Sequence, residues 1–288
     1  MRFSLFPAFL LLLLHTTAAL AATPVAEDSI INTNPDASVA LRAQAEIGAI
    51  YTVKHLLQVG TDGTEVSIPK DLGQETLYPY LRFQMDLDIG TKGRRNTLSF
   101  LYQPLSLRST AAPTRDLQVG DVLFAEGRGI DFTYGFSFWR LTWMYDILRA
   151  PDKEIAFGVA LQIRNANIVY SALDGSAVVA SRNIGPVPIL AFRGRGTITK
   201  KLWMAGEVQG FYANIPGVNG GSADVEGAIV DTSLKAGLAG PKGSSAFLSL
   251  RYVGGGAVGQ STNADPFTDG FTRNWLHLMS LSIGLELR

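Results

Sequence analysis

The chain has 288 residues, no cysteine, and 25 basic against 25 acidic residues. The missing cysteines exclude disulfides, thiolate chemistry, cysteine metal sites and amino-terminal lipidation on Cys. Balanced charge without a basic block gives nucleic-acid binding no electrostatic support, and no cofactor or metal motif stands out.

Arg2, the apolar run Leu10–Leu14 and the small-residue stretch Ala18–Ala22 read as a signal peptide over residues 1–22, cut near Ala21 or Ala22. Residues 23–38 are polar and proline-containing, a short periplasmic tail. Beyond them no continuous apolar stretch approaches the roughly 18 residues of a membrane-spanning helix. Residues 39–288 instead alternate between apolar and polar.

The first strand is expected over Ala43–Lys54, with Ala45, Ile47, Tyr51 and Val53 on one face and Gln44, Glu46 and Thr52 on the other. The long connection 55–76 contains two short segments, Leu56–Val59 and Thr64–Ile68, that suit a small hairpin around Asp62-Gly63. The clearest alternation follows. Leu81, Phe83, Met85, Leu87 and Ile89 take every second place, Arg82, Gln84, Asp86 and Asp88 fill the places between, and after a turn at Lys92–Arg95 the pattern resumes with Leu98, Phe100 and Tyr102. A second long loop covers 109–127.

In the fourth strand, Ile130 to Leu148, the apolar residues sit at even positions up to Phe136 and at odd positions from Trp139. This slip implies either a bulge near Phe138 or a change of surroundings between rim and membrane. Strand five carries Ile155, Phe157, Val159, Leu161 and Ile163. Strand six, about Val178–Ile198, is the least regular, because Pro186 and Pro188 each remove a ladder donor. Strand seven ends near Tyr212, the Gly/Asn-rich loop Asn214–Ala223 precedes strand eight, and strand nine follows the turn Gly240–Gly243. The last long loop covers 254–273, and the closing strand ends in Leu281, Ile283, Leu285 and Leu287 against Ser282, Gly284, Glu286 and Arg288.

Such alternation puts apolar residues inside a soluble barrel or outside a membrane one. Segments of about ten residues, turns alternately short and long, and the signal sequence favour the membrane. The expected fold is all-β: a single closed up-and-down barrel of about ten antiparallel strands, eight or twelve being the alternatives.

The lumen-facing set is then Glu46, Arg82, Asp86, Asp88, Arg140, Asp146, Arg164, Glu207, Asp231, Lys235, Arg251 and Glu286. A polar conduit or acid/base site is one reading, and mutual pairing of acids and bases that fill the interior is the other. Tyr80, Trp139, Trp143, Tyr145, Trp203, Phe211, Tyr252 and Trp275 suit an aromatic girdle. His277 shares the parity of Leu281 and Ser280 does not, so no Ser/His pair is supported and no catalytic residue is named.

Signal sequence, paired long strands, aromatic boundaries and alternating terminal strand together resemble the bacterial outer-membrane β-barrel proteins. The terminal Leu287-Arg288 departs from the aromatic end usual there. The resemblance implies an exported protein of the outer membrane, with outer-membrane lipids including lipopolysaccharide and the barrel-insertion machinery as partners. Its implied roles are structural, adhesive, or passage of small solutes through a narrow channel. The alternatives are a lipid A- or peptide-modifying enzyme and a soluble periplasmic lipid-binding barrel. Neither the His/Asp rim pairs of omptin-like proteases nor the close His and Ser of lipid A deacylases are found.

Overall fold

The computed structural model describes residues 39–91, 94–148, 150, 152–215, 225–260 and 268–288. The expected signal peptide and tail, and most of the Asn214–Ala223 loop, lie outside the described residues. Among those described, the strands are β1 (Val39–Val59), β2 (Val66–Ser67), β3 (Leu77–Thr91), β4 (Arg94–Gln103), β5 (Ser106–Ala111), β6 (Leu117–Val119), β7 (Val122–Phe124), β8 (Ile130–Asp146), β9 (Lys153–Ala172), β10 (Val178–Thr197), β11 (Leu202–Ile215), β12 (Val225–Ala239), β13 (Ser245–Gln260) and β14 (Phe271–Leu287).

Ten of them, β1, β3, β4 and β8 to β14, pair antiparallel with their chain neighbours, and β14 pairs back onto β1 from Ala43↔Leu287 to Val59↔Thr272. Closure removes the open sheet edge. The remaining short strands belong to the loops: β2 continues the β1 ladder as Leu57↔Val66, which is the small hairpin expected there, β5 lies along β8, and β6 and β7 pair with each other. The strands outrun their expected limits. β1 starts at Val39, and β13 and β14 extend to Gln260 and from Phe271, so most of the described residues of the expected loop 254–273 are strand.

Connections at one end are short, as at Pro241–Gly243 between β12 and β13; at the other end they are long except for the turn between Ala172 and Val178 that joins β9 to β10. Between the ends runs an apolar outer band. On β8 its outward residues are Trp139, Leu141, Trp143, Tyr145 and Ile147, on β9 Ile155 to Ile163, and on β14 Met279 to Leu287. From Trp139 to the end of β8 and the adjoining Ile147 the chain crosses the band, close to the roughly 9–11 residues that span a hydrocarbon layer.

Above the band, toward the long loops, the polarity reverses. The outward residues of β8 become Ser137, Gly135, Thr133 and Asp131, while Phe132 and Tyr134 point inward and are fully buried. The β8–β9 register runs unbroken from Asp146↔Ala156 to Ile130↔Ala172. The slip at Phe138 is therefore no bulge: the backbone continues and the surroundings change. A register irregularity does occur, but in β1, between Thr52 and Lys54, where the inward set shifts from Ile50 and Thr52 to His55, Leu57 and Val59.

The reversed end holds an ordinary apolar core. Leu57, Val59, Val66, Ile68, Leu107, Leu117, Phe124, Phe132, Tyr134 and Tyr170 pack there, drawing β2, β5, β6, β7 and the helical turn Ile68–Asp71 over the barrel mouth. Phe132 and Tyr170 meet at 4.8 Å between ring centroids. Burying such side chains is worth about 1.5–3 kcal/mol each, which is what holds loop segments with so little pairing of their own.

Candidate functional site

Inside the band every second residue of each strand projects into the lumen, and there the charges meet. β1 and β3 lie in register with Arg42 opposite Asp86, Ala40 opposite Asp88 and Glu46 opposite Arg82. Arg42 reaches Asp88 at 3.1 Å and Asp86 at 3.3 Å; Arg193, from the far wall, bonds Glu154 at 2.5 Å and Asp86 at 3.2 Å. Ser99 and Gln84 also donate to Asp86. The two aspartates of β3 are thus each engaged by arginine and hydroxyl donors, which leaves no shared site for a cation.

A second group surrounds Glu46. Arg82 lies at 2.6 Å and Lys235 at 3.2 Å, Ser282 donates at 2.9 Å, and Glu207 stands 3.9 Å from Arg82. Next to it Glu286 takes a two-pronged bond from Arg195 at 2.8 and 2.9 Å and a third from Arg288 at 2.7 Å. Nearer the core, Asp231 sits between Arg140 at 2.7 Å and Arg251, while Arg140 also donates to Gln162 and Gln209. Asp146 accepts from the backbone N–H of Leu148 and Ile155. Burial of so many charges is tolerated because nearly every one has an opposite partner and further hydrogen bonds.

All twelve residues of the expected lumen set face inward. Arg42, Arg95, Glu154, Arg193, Arg195 and Arg288 face inward with them and lie outside the expected set. Arg164 differs from the rest: half-buried, it makes no hydrogen bond or ion pair with any described residue.

Of the girdle set, Trp139, Trp143, Tyr145, Tyr252 and Trp275 point outward. Three residues do not. Tyr80 is buried in the lumen, its hydroxyl accepting from Arg251 at 3.2 Å, and Trp203 is buried beneath the Arg195 guanidinium, 4.0 Å from its ring centre. Both share parity with lumen residues of their strands, Arg82 and Glu207, and periodicity outweighs residue type. Gly237 makes the room: a Cβ there would collide with the Trp203 ring. Phe211 shares the same parity as Trp203. Tyr51, Tyr102 and Tyr212 stand outward near the upper edge, and Tyr102 stacks on Trp139 at 5.6 Å.

The histidines carry no chemistry with a nucleophile. His277 faces outward and shares a 2.7 Å hydrogen bond with Tyr252, while Ser280 is buried on the other face. His55 stands above the band, in the apolar core, 2.9 Å from Gln74 and 4.5 Å from the Tyr134 ring. Burial there lowers its pKa to about 4. Among the described residues no group of three or more His, Asp or Glu is placed to hold a metal ion.

No family model and no curated protein sequence matches the chain. Solved structures do. The outer membrane protease OmpT of Escherichia coli is 9% identical with a TM-score of 0.50, over 86% of this chain and 96% of that one. Ail, the attachment invasion locus protein of Yersinia pestis, is 8% identical with a TM-score of 0.32, over 86% and 99%. The toluene transporter TodX of P. putida is 8% identical with a TM-score of 0.30, over 86% and 90%. The chain thus has the outer-membrane β-barrel fold, and at 9% identity the protease likeness extends to the fold alone.

Proposed function

We propose that this is a non-enzymatic, non-conducting barrel of the outer membrane, delivered there by a cleaved signal peptide. Its outer-membrane lipids, lipopolysaccharide among them, surround the apolar band. The lumen is closed twice over, and that carries the reading. Below, charged side chains less than a tenth exposed knit opposite walls together; above, Phe132, Tyr134, Leu57 and their neighbours stop the mouth. A continuous water file needs neither obstacle. What remains for function is the surface: a stiff outer extension, built like a soluble core, that holds loops away from the membrane for a structural or adhesive role.

Planar-bilayer recording of the reconstituted protein tests this. The expected trace is flat, and reproducible conductance steps from the native chain would end the proposal. Lipid A mass spectra from cells with and without the protein are expected to coincide; a protein-dependent mass shift would favour a lipid-modifying enzyme instead.

A further inference from the structure

Among the described residues the barrel wall is incomplete between β10 and β11. The β10–β11 ladder extends from Thr197↔Trp203 only to Leu190↔Gly210 and stops, although β10 continues upward to Val178, paired to β9, and β11 to Ile215, paired to β12. Pro186 and Pro188, which have no N–H to donate, lie just past the last pair. Pro186 stands opposite Ile163, the last residue of the unbroken outward apolar run of β9 before Asn165 and Asn167, so the joint opens at the upper edge of the apolar band.

Behind that joint lies the border between the knit lower lumen and the apolar plug, against which Phe136 packs. Inward-facing Phe136, Val187, Phe211, Ile229 and Val253 are partly exposed, whereas inward residues of β1, β3 and β8 at the other levels are buried. These five give a cleft apolar walls. Arg164, opposite Gly185 in the β9–β10 register, faces the same space. Its partners set it apart among the described inward arginines. Arg95 donates to the Ala150 carbonyl and lies by Asp146, and Arg42, Arg82, Arg140, Arg193, Arg195, Arg251 and Arg288 each meet a buried carboxylate. Arg164 has no described carboxylate within ion-pair distance and only the Tyr134 hydroxyl near it. A guanidinium in apolar surroundings with no counter-ion is costly unless an anion joins it.

We propose that this cleft binds a single-chain amphiphile with a carboxylate or phosphate head, admitted sideways through the β10–β11 joint. Arg164 holds the head at the level of the membrane boundary, and the chain lies against Phe136, Val187, Phe211, Ile229 and Val253. A guanidinium offers paired N–H donors to either head. The reading does not depend on the lumen being closed to ions.

The full chain in phosphatidylcholine vesicles is photolysed with palmitic acid bearing a mid-chain diazirine, with the matching alkyl phosphate, and with the matching hexadecanol. Peptides are then mapped by mass. At least one anionic probe is expected to label inward positions of β9 to β13; hexadecanol is expected to label only the outer band, which serves as the internal control in every sample. Arg164→Gln should lower cleft labelling at least tenfold and leave band labelling unchanged, while Arg164→Lys retains most of it. Retained electrophoretic heat-shift shows that each variant has folded. Equal cleft labelling by hexadecanol, or by Arg164→Gln, overturns the head-group site. The joint is tested by cysteines replacing Pro188 and Tyr212, which would face each other if the ladder continued; the chain has no other cysteine. Oxidation before probe is added should abolish cleft labelling, and undiminished labelling overturns the lateral route.

Discussion

The lower and upper halves of the barrel use the same strands and the same alternation with opposite meaning. On β8, Trp139, Leu141 and Trp143 face out and Arg140 and Thr142 face in; a few residues earlier Asp131 and Thr133 face out and Phe132 and Tyr134 face in. The β8–β9 ladder does not notice the change. A period of two fixes which residues share a face, but the solvent on each side decides which face is apolar. In hydrocarbon the interior is the place for charge, and in water it is the place for rings.

This explains how much could be read beforehand. The strand number, the closure and the whole named lumen set follow from periodicity, because each strand is long enough to show its parity. Tyr80, Trp203 and Phe211 suit a girdle by residue type, but parity, which decides the face, puts all three inward. Arg193 and Arg195 were missed because their outward neighbours, Gly194 and Gly196, carry no apolar side chain and so hide the alternation. Arg42 lies outside the expected strand, which begins at Ala43, whereas β1 begins at Val39. Which acid meets which base depends on the stagger of strands around the closed wall, as Gln44 reaching Lys235 across 191 residues of chain shows, and one strand's sequence does not record that stagger.

The sharpest way to break the lower half is to leave its charges unpaired. Asp231→Asn removes the carboxylate that Arg140 and Arg251 share, stranding two buried guanidinium groups. The expected loss is about 3–5 kcal/mol in denaturant unfolding from vesicles, as for other broken buried pairs. A loss under about 1 kcal/mol would mean that water reaches these groups and that the lumen is not packed.

The reversal itself is tested from outside with one substitution made twice. Leu281→Arg puts a charge on the outward face within the apolar band, where it should cost about 2–4 kcal/mol if it lies near the midplane. Asn165→Arg makes the same change on the outward face of β9 just above the band, in water, and should stay within about 0.5 kcal/mol of the parent. Equal costs at the two positions would erase the distinction between the halves.

Acid should act on the upper half through His55. Its folded pKa of about 4 lies below the ordinary 6.5, because the apolar core around Phe132 and Tyr134 disfavours the charged ring. The unfolded chain therefore binds the proton more readily, so the contribution to stability is intact above pH 6.5, falls as pH drops, and levels off below the folded pKa. At pH 5 the loss is about 2 kcal/mol, from roughly 1.4 kcal/mol per pH unit. Hydrogen exchange should show it as faster opening at Leu57, Phe132 and Leu276, which surround or pair with His55, while amides of Leu248 and Ser282 in the band keep their protection. His55→Gln keeps a partner for Gln74 and removes the titration, so its upper core should exchange alike at pH 7 and pH 5. An acid response shared by both halves, or one that survives the substitution, would place the proton elsewhere and show that the two halves do not unfold as separate units.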